Sequence, residues 1–182
     1  MAEAYLVDAV RTPVGKKKGG LSAAHPGDLG AHVLKHLVTR SDLDPSVVED
    51  VVFGFLDTIG PQAGDIARTC WLAAGLPEEV PGVTIDRQCG SSQQAIHFAA
   101  QAVMSGTNDV IIAGGVQNMS MIPIAVTWGL GKDYGHPDPY SPVKRPQIPS
   151  QDPSPGHPDQ IRPNHPLDIP RREANSPIKE NS

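Results

Sequence analysis

Apolar positions recur along the first two thirds of the chain in two alternating rhythms. Ala4 to Val10 ("AYLVDAV"), Val51 to Leu56 ("VVFGFL"), Gly82 to Asp86 ("GVTID") and Asp109 to Val116 ("DVIIAGGV") are short apolar runs of strand length. Between them, apolar residues return every three or four positions. Leu29, Val33, Leu34, Leu37 and Val38 form one such stripe, with Asp28 as the expected N-cap and Lys35, His36 and Arg40 suited to the C-terminal end of the dipole. Asp44 and Pro45 read as the cap and first turn of a short helix. Asp65 to Ala74 carries Ile66, Cys70, Ala73 and Ala74 on one face and stops at Gly75 and Pro77. Ser91 to Ser105 reads as a third helix, stopped by Gly106. Its expected buried stripe is Ala95, Phe98, Ala99, Ala102 and Val103, with Ser91 or Ser92 satisfying the first free amides. Strand and helix in alternation predict an α/β domain whose parallel sheet is covered by helices on both faces.

From about His136 this rhythm is lost. Twelve of the nineteen prolines fall from Pro137 onward, in a stretch without Phe, Trp, Met or Cys. Such a segment has too little apolar surface to offset the entropy of ordering, and proline at this density interrupts helices and central strands. The expected organisation is a domain over 1–134 and a proline-rich, disordered tail over 135–182.

Length and composition narrow the picture further. A chain of 182 residues, 38% hydrophobic, suits one ordinary domain with a tail. A net charge of -5 argues against a nucleic-acid or anionic-membrane surface, since both need clustered lysine and arginine. Lys16, Lys17 and Lys18 are the basic run, read as a solvated loop because no G-x-x-x-x-G-K-[ST] arrangement accompanies them. No stretch has the length of a membrane span and the start has an early acid without a basic n-region, so a cytoplasmic protein is expected. The two cysteines, Cys70 and Cys89, make neither a disulfide framework nor a metal signature, and no metal site is expected.

Cys89 is the candidate for chemistry. It stands in "TIDRQCGSSQQAI", at the turn from the third strand into the third helix, among Arg87, Gln88 and small polar residues. Parallel α/β sheets bind ligands beyond the carboxyl ends of their strands, where this turn lies. Helix N-terminal amides favour a thiolate, Gly90 lets a substrate approach the backbone, and the Cys89 amide itself is placed to face a developing oxyanion. Cys70, at a helical core position beside Trp71, reads as a small buried hydrophobe. Position alone leaves Cys89 open between a nucleophile and a structural residue.

The segment "DRQCGSSQQAI" resembles the nucleophile segment of the thiolases, acyltransferases that form or cleave 3-ketoacyl-CoA thioesters. "VDAVRTPVGKKKGGL", "GDIARTCWLAAGLPEEVPGVTID" and "DVIIAGGVQNMSMIPI" are similar to further stretches of that family, in the same order and spacing. The match runs from about Ala4 to Ile124, more weakly to Pro142, and suits the degradative branch of lipid metabolism best, some of whose members act on steroid-derived thioesters. The resemblance implies the N-terminal half of a two-lobed fold, with a five-stranded, mixed but mostly parallel sheet that is incomplete here. It implies a dimer or tetramer of identical chains, no permanently bound cofactor, and coenzyme A as co-substrate. It also implies ping-pong chemistry, in which Cys89 attacks the 3-keto carbon, acetyl-CoA leaves as its enolate, and coenzyme A then takes the acyl group from sulfur.

A thiolase is roughly twice this length, and the remainder supplies an activating histidine in a G-H-P turn, an asparagine-held water, a second cysteine as acid and a loop domain for coenzyme A. Gly135 to Pro137 and Gly156 to Pro158 are G-H-P triplets, but neither His136 nor His157 follows a strand or opens a helix, so neither is taken as catalytic. A shift of reading frame in a GC-rich gene would yield the tail's mix of Pro, Arg, His, Asp, Ser and Gly and is the preferred account of it. Two functions are therefore expected to compete: a thiolase whose activity in this chain is absent or strongly impaired, and a non-catalytic fragment that associates with a full-length thiolase subunit. A nucleotide site at "AGGVQN" is the weaker reading, because G-x-G-x-x-G is absent and close backbone packing explains Gly114 and Gly115 better.

Overall fold

A computed structural model of the chain describes residues 3–135. The proline-rich stretch from His136 onward, including both G-H-P histidines, lies outside the described residues.

The helix α1 spans Pro26–Arg40. It starts earlier than the apolar stripe suggests: His25 is the N-cap, its Nδ1 accepting the Gly27 N–H at 3.0 Å, and Pro26 occupies the first turn. Asp28 falls inside that turn, where its charge still favours the dipole but caps nothing. A 3-10 turn, Pro45–Val47, follows with the expected cap, the Asp44 carboxylate accepting the Ser46 N–H at 3.0 Å. The strand β1 (Asp50–Gly54) leads through a 3-10 turn, Gly60–Gln62, to α2 (Ile66–Ala73), whose N-cap is Asp65. Then come β2 (Gly82–Ile85), α3 (Ser91–Ser105), β3 (Ile111–Gly115), the short α4 (Val126–Gly129) and a 3-10 turn, Leu130–Tyr134. Gly106 stops α3 in the left-handed conformation, φ 73°.

The sheet has the order β2-β1-β3 and is parallel throughout. Val51 faces Gly82 on one side and Ile112 on the other, and Gly54 faces Ile85 and Gly115. Odd residues of β1 point to one face: Val51 and Phe53 join Leu34, Val38, Ile66, Cys70 and Trp71 in the buried core beneath α1 and α2. Gly54 points the other way, and a Cβ there would run into the backbone of Ser91 and Ser92, at the start of α3. The two helical layers thus cover opposite faces, as expected.

Two further expectations are not met in full. The run Ala4 to Val10 forms no strand among the described residues, and Tyr5, Leu6 and Val7 stand 77%, 80% and 87% exposed. An apolar run reports a side chain's preference for burial, whereas a strand also needs a neighbour for its ladder, and none lies beside this segment. The stripe assigned to α3 holds in part: Ala95 is buried and Ala99, Ala102 and Val103 are half-buried, but Phe98 does not belong to it. Ser91, Gln94 and Ala95 are the buried positions, while Phe98 is 46% exposed. α3 meets the sheet through its small residues because the glycines at the strand ends bring the two backbones close, and larger residues cannot occupy that contact.

Candidate active site

The turn that carries Cys89 is built by short-range polar bonds. Asp86 Oδ1 accepts the Gln88 N–H at 2.7 Å, an Asx turn that helps hold Gln88 at the positive φ of 51°. Ser91 or Ser92 was expected to satisfy the first free amides of α3, but Gly90 is the N-cap, with no side-chain cap bond, and the Ser91 hydroxyl works backward instead. Ser91 Oγ accepts the Arg87 N–H at 2.9 Å and lies 2.6 Å from Gln88 O and 3.1 Å from Phe55 O, so it ties the turn to the end of β1. The Arg87 guanidinium donates to Gln94 Oε1, one turn into α3.

Cys89 is exposed at the crest of this turn, and Cys70 is buried. Cys89 lines a groove of about 310 Å³ with Gly54, Leu56, Gln117, Met119 and Ile124 among its neighbours. The groove opens beyond the carboxyl ends of β1 and β3, where the sequence reading put a ligand. Gly114 and Gly115 act as the close-packing residues expected of them. A Cβ on Gly115 would overlap Ser92 Oγ and Gly54 O, and one on Gly114 would press on the Phe53 ring at 3.3 Å. Burial and, less strongly, the Asp65 carboxylate push the Cys70 thiol up to about 12, far from any pH at which it would be a nucleophile.

A buried polar network behind the groove has no local signature in the sequence. The Asn118 side chain donates from Nδ2 toward Leu21 O, Ser22 O and Ala24 O at 3.3, 3.1 and 2.9 Å, and its Oδ1 accepts the Ser120 and Met121 N–H groups. Gln62, fully buried, accepts the Asn118 N–H at 3.1 Å and donates to Asp57 O. The buried Asp57 carboxylate accepts the Ala125 N–H at 2.7 Å and both the N–H and hydroxyl of Thr127, fixing the turn that follows Ile124. Lys16 to Lys18 lie on an exposed turn, as read from the sequence.

An α/β/α layering with a groove at the carboxyl edge of a parallel sheet, and an exposed cysteine on the strand-to-helix turn above it, is a layout in which parallel α/β domains present ligand sites. Comparison with known proteins makes the class definite. The family model described as the thiolase N-terminal domain matches residues 4–141, and the chain belongs to the thiolase family. The steroid 3-ketoacyl-CoA thiolase FadA6 of Mycobacterium tuberculosis is 61% identical over 145 residues, covering 80% of this chain and 36% of that protein. A beta-ketoadipyl-CoA thiolase of Acinetobacter baylyi is 44% identical over 139 residues, 74% of this chain and 33% of its own. Among solved structures, the Bacillus anthracis acetyl-CoA acetyltransferase superposes with a TM-score of 0.64 at 39% identity, over 69% of this chain and 32% of that one. The chain spans about a third of the length of the curated relatives it matches. No helix among the described residues is long and apolar enough to cross a membrane.

Proposed function

We propose that the chain is the N-terminal part of a thiolase-type C-acyltransferase and that Cys89 is its nucleophile. The contrast between the two thiols supports the reading: one is exposed at a helix start above a groove, the other buried with its ionisation suppressed. The Cys89 thiolate attacks the C3 carbonyl carbon of a 3-ketoacyl-CoA, with its own backbone N–H facing the oxyanion. The C2–C3 bond then breaks, its electrons pass to the acetyl-CoA enolate, which takes up a proton, and the acyl group stays on Sγ as a thioester. The thiol of coenzyme A attacks that thioester and releases the shortened acyl-CoA and free Cys89. Coenzyme A is a co-substrate, and no cofactor is held permanently. The similarity to a steroid 3-ketoacyl-CoA thiolase favours a steroid-derived acyl group. The intact assembly is a cytoplasmic dimer or tetramer of identical subunits.

The described residues lining the groove include no acid or base besides Cys89 itself, so this chain alone takes up an acyl group without turning over. Intact-mass measurement after incubation with a 3-ketoacyl-CoA or acetyl-CoA tests this. One acyl adduct is expected, and Cys89→Ser should abolish it. An adduct that persists in the variant, or none on a folded chain, refutes the assignment. A second reading, a fragment that associates with a full-length thiolase subunit, is favoured by one observation: β3 leaves a sheet edge open.

A further inference from the structure

The solvent side of α1 carries a feature that neither the core nor the Cys89 turn uses. His32 and His36 are both exposed and stand one helical turn apart, with ring centroids 4.4 Å apart and ring planes at 61°. Among the described residues neither imidazole makes a hydrogen bond or an ion pair, and the contact each does make is with the other. The other two described histidines are placed differently. His25 commits its Nδ1 to the Gly27 N–H at the start of α1, and His97 on α3 has no second histidine a turn away.

A neutral imidazole offers one ring nitrogen as a lone-pair donor, and two imidazoles a turn apart can meet on one cation. When each nitrogen lies about 2.1 Å from the ion and the two bonds open by about 90 to 110°, the ring centroids come about 4.5 to 5.2 Å apart. The observed 4.4 Å is a small side-chain adjustment from that spacing. The backbone beneath is held as well, because Leu34 and Val38 of the same helix are buried in the core. The ligand type selects the ion: imidazole suits Cu²⁺, Ni²⁺ and Zn²⁺, whereas Mg²⁺ and Ca²⁺ require oxygen. No three His, Cys, Asp or Glu residues gather around a metal position among the described residues, so the chain supplies two ligands and water the others. Asp28, one further turn toward the start of α1, adds a negative charge that favours a dication there.

We propose that His32 and His36 together bind one exchangeable divalent transition-metal ion, of the Cu²⁺, Ni²⁺ and Zn²⁺ group, on the outer face of α1. The ion ties two successive turns of α1 to each other, and since the other face of that helix closes the core, binding stabilises the folded chain. Affinity follows the usual order for nitrogen ligands, Cu²⁺ above Ni²⁺ and Zn²⁺. α1 and α3 cover opposite faces of the sheet, so the site is separate from the Cys89 groove and does not rest on the acyl-transfer reading.

Calorimetric titration of the full chain with Ni²⁺ tests this, in a Cys89→Ser background that removes the exposed thiol as a competing ligand. The tightest step is expected to take one ion per chain. His32→Gln and His36→Gln should each weaken that step at least about tenfold, because one imidazole alone loses the advantage of the second held beside it, while His97→Gln leaves it unchanged. With free Ni²⁺ at about a hundred times the dissociation constant, the melting temperature should rise by roughly 8 °C, and both α1 variants should lose that rise. Mg²⁺ should neither bind nor stabilise. Should either variant melt several degrees lower without metal, the parent chain decides: Cu²⁺ added below one equivalent should broaden the ring resonances of His32 and His36 before that of His97. Three results overturn the proposal: a tightest step that survives in either α1 variant, half an ion per chain and so a site shared between two copies, or broadening that begins at His97 or at His136, His157 or His165.

Discussion

The contact between α1 and α2 turns on one glycine and one sulfur, and substituting both tests how literally that packing is to be taken. A Cβ on Gly30 would overlap Cys70 Sγ, lie 3.0 Å from Cys70 Cβ and 3.5 Å from the Phe53 ring, all in the buried core. Gly30→Ala gains about 1 kcal/mol of helix propensity and loses about 3 kcal/mol to overpacking, a net destabilisation of about 2 kcal/mol. Cys70→Ala removes a fully buried sulfur and leaves a cavity, at about 1.5 kcal/mol. In the double variant the new methyl group occupies the space the sulfur vacates. The two losses should then largely cancel, leaving the double variant within about 1 kcal/mol of the parent and a coupling energy of about 2.5 kcal/mol. Urea unfolding of the four proteins measures this, with an unchanged m-value as the check that the unfolded state is the same. In thermal melts Gly30→Ala alone should fall by roughly 8 °C and the double variant recover most of it. Losses that add within about 0.5 kcal/mol would mean the two helices part easily, and the close approach would lose its meaning.

The two thiols should behave oppositely toward alkylation. At pH 8 a thiol with a pKa of about 12 is ionised to roughly one part in ten thousand, so iodoacetamide should modify Cys89 in the folded chain and Cys70 only after denaturation; equal rates would contradict the burial. The same shift predicts an alkaline loss of stability. Cys70 keeps in the native state a proton that the unfolded chain releases above the ordinary value of 9.0, so stability is unaffected below pH 9 and falls as pH rises from there toward 12, by up to about 1.4 kcal/mol per pH unit. Cys70→Ala should lack that slope, and an identical alkaline titration of the variant would refute it. Asn118→Asp keeps the shape but sets a carboxylate oxygen against three carbonyls, and should cost about 3 kcal/mol in urea unfolding while leaving Cys89 labelling intact; a loss under about 1 kcal/mol would show that the network bears little of the stability.

What could be read from the sequence was what neighbouring residues decide among themselves. Asp44 caps the turn it precedes, Gly106 stops α3, and Cys70 falls on a buried stripe, because caps and stripes are set within a few positions. The turn that presents Cys89 was placed correctly for the same reason. The failures concern relations across the chain. Ala4 to Val10 carries the apolar run of a strand, and whether it pairs depends on another segment. α3 carries apolar residues on several faces, and the glycines of β1 and β3 decide which face meets the sheet. Asp57, Gln62 and Asn118 gave no signal at all. Their partners lie far along the chain, Asn118 bonding across 97 residues to Leu21, and a lone polar residue in a loop looks the same whether it is solvated or satisfied from a distance.

Those long-range polar bonds and the strand-end glycines together account for the location of Cys89. Gly54 and Gly115 bring the start of α3 onto the carboxyl end of the sheet, closer than any side chain would allow. Ser91, at that contact, holds the turn to Phe55 O and to the backbone of Arg87 and Gln88, so the cysteine is set by the helix start and the strand end at once. On the far side, Asp57 holds the turn after Ile124, and Asn118 locks the turn beside Met119 to the loop at Leu21 to Ala24. Both walls of the groove are therefore held by satisfied, buried bonds, while the one buried donor without a partner, Gln117 Nε2 among the described residues, sits between the Cys89 groove and the open edge of β3.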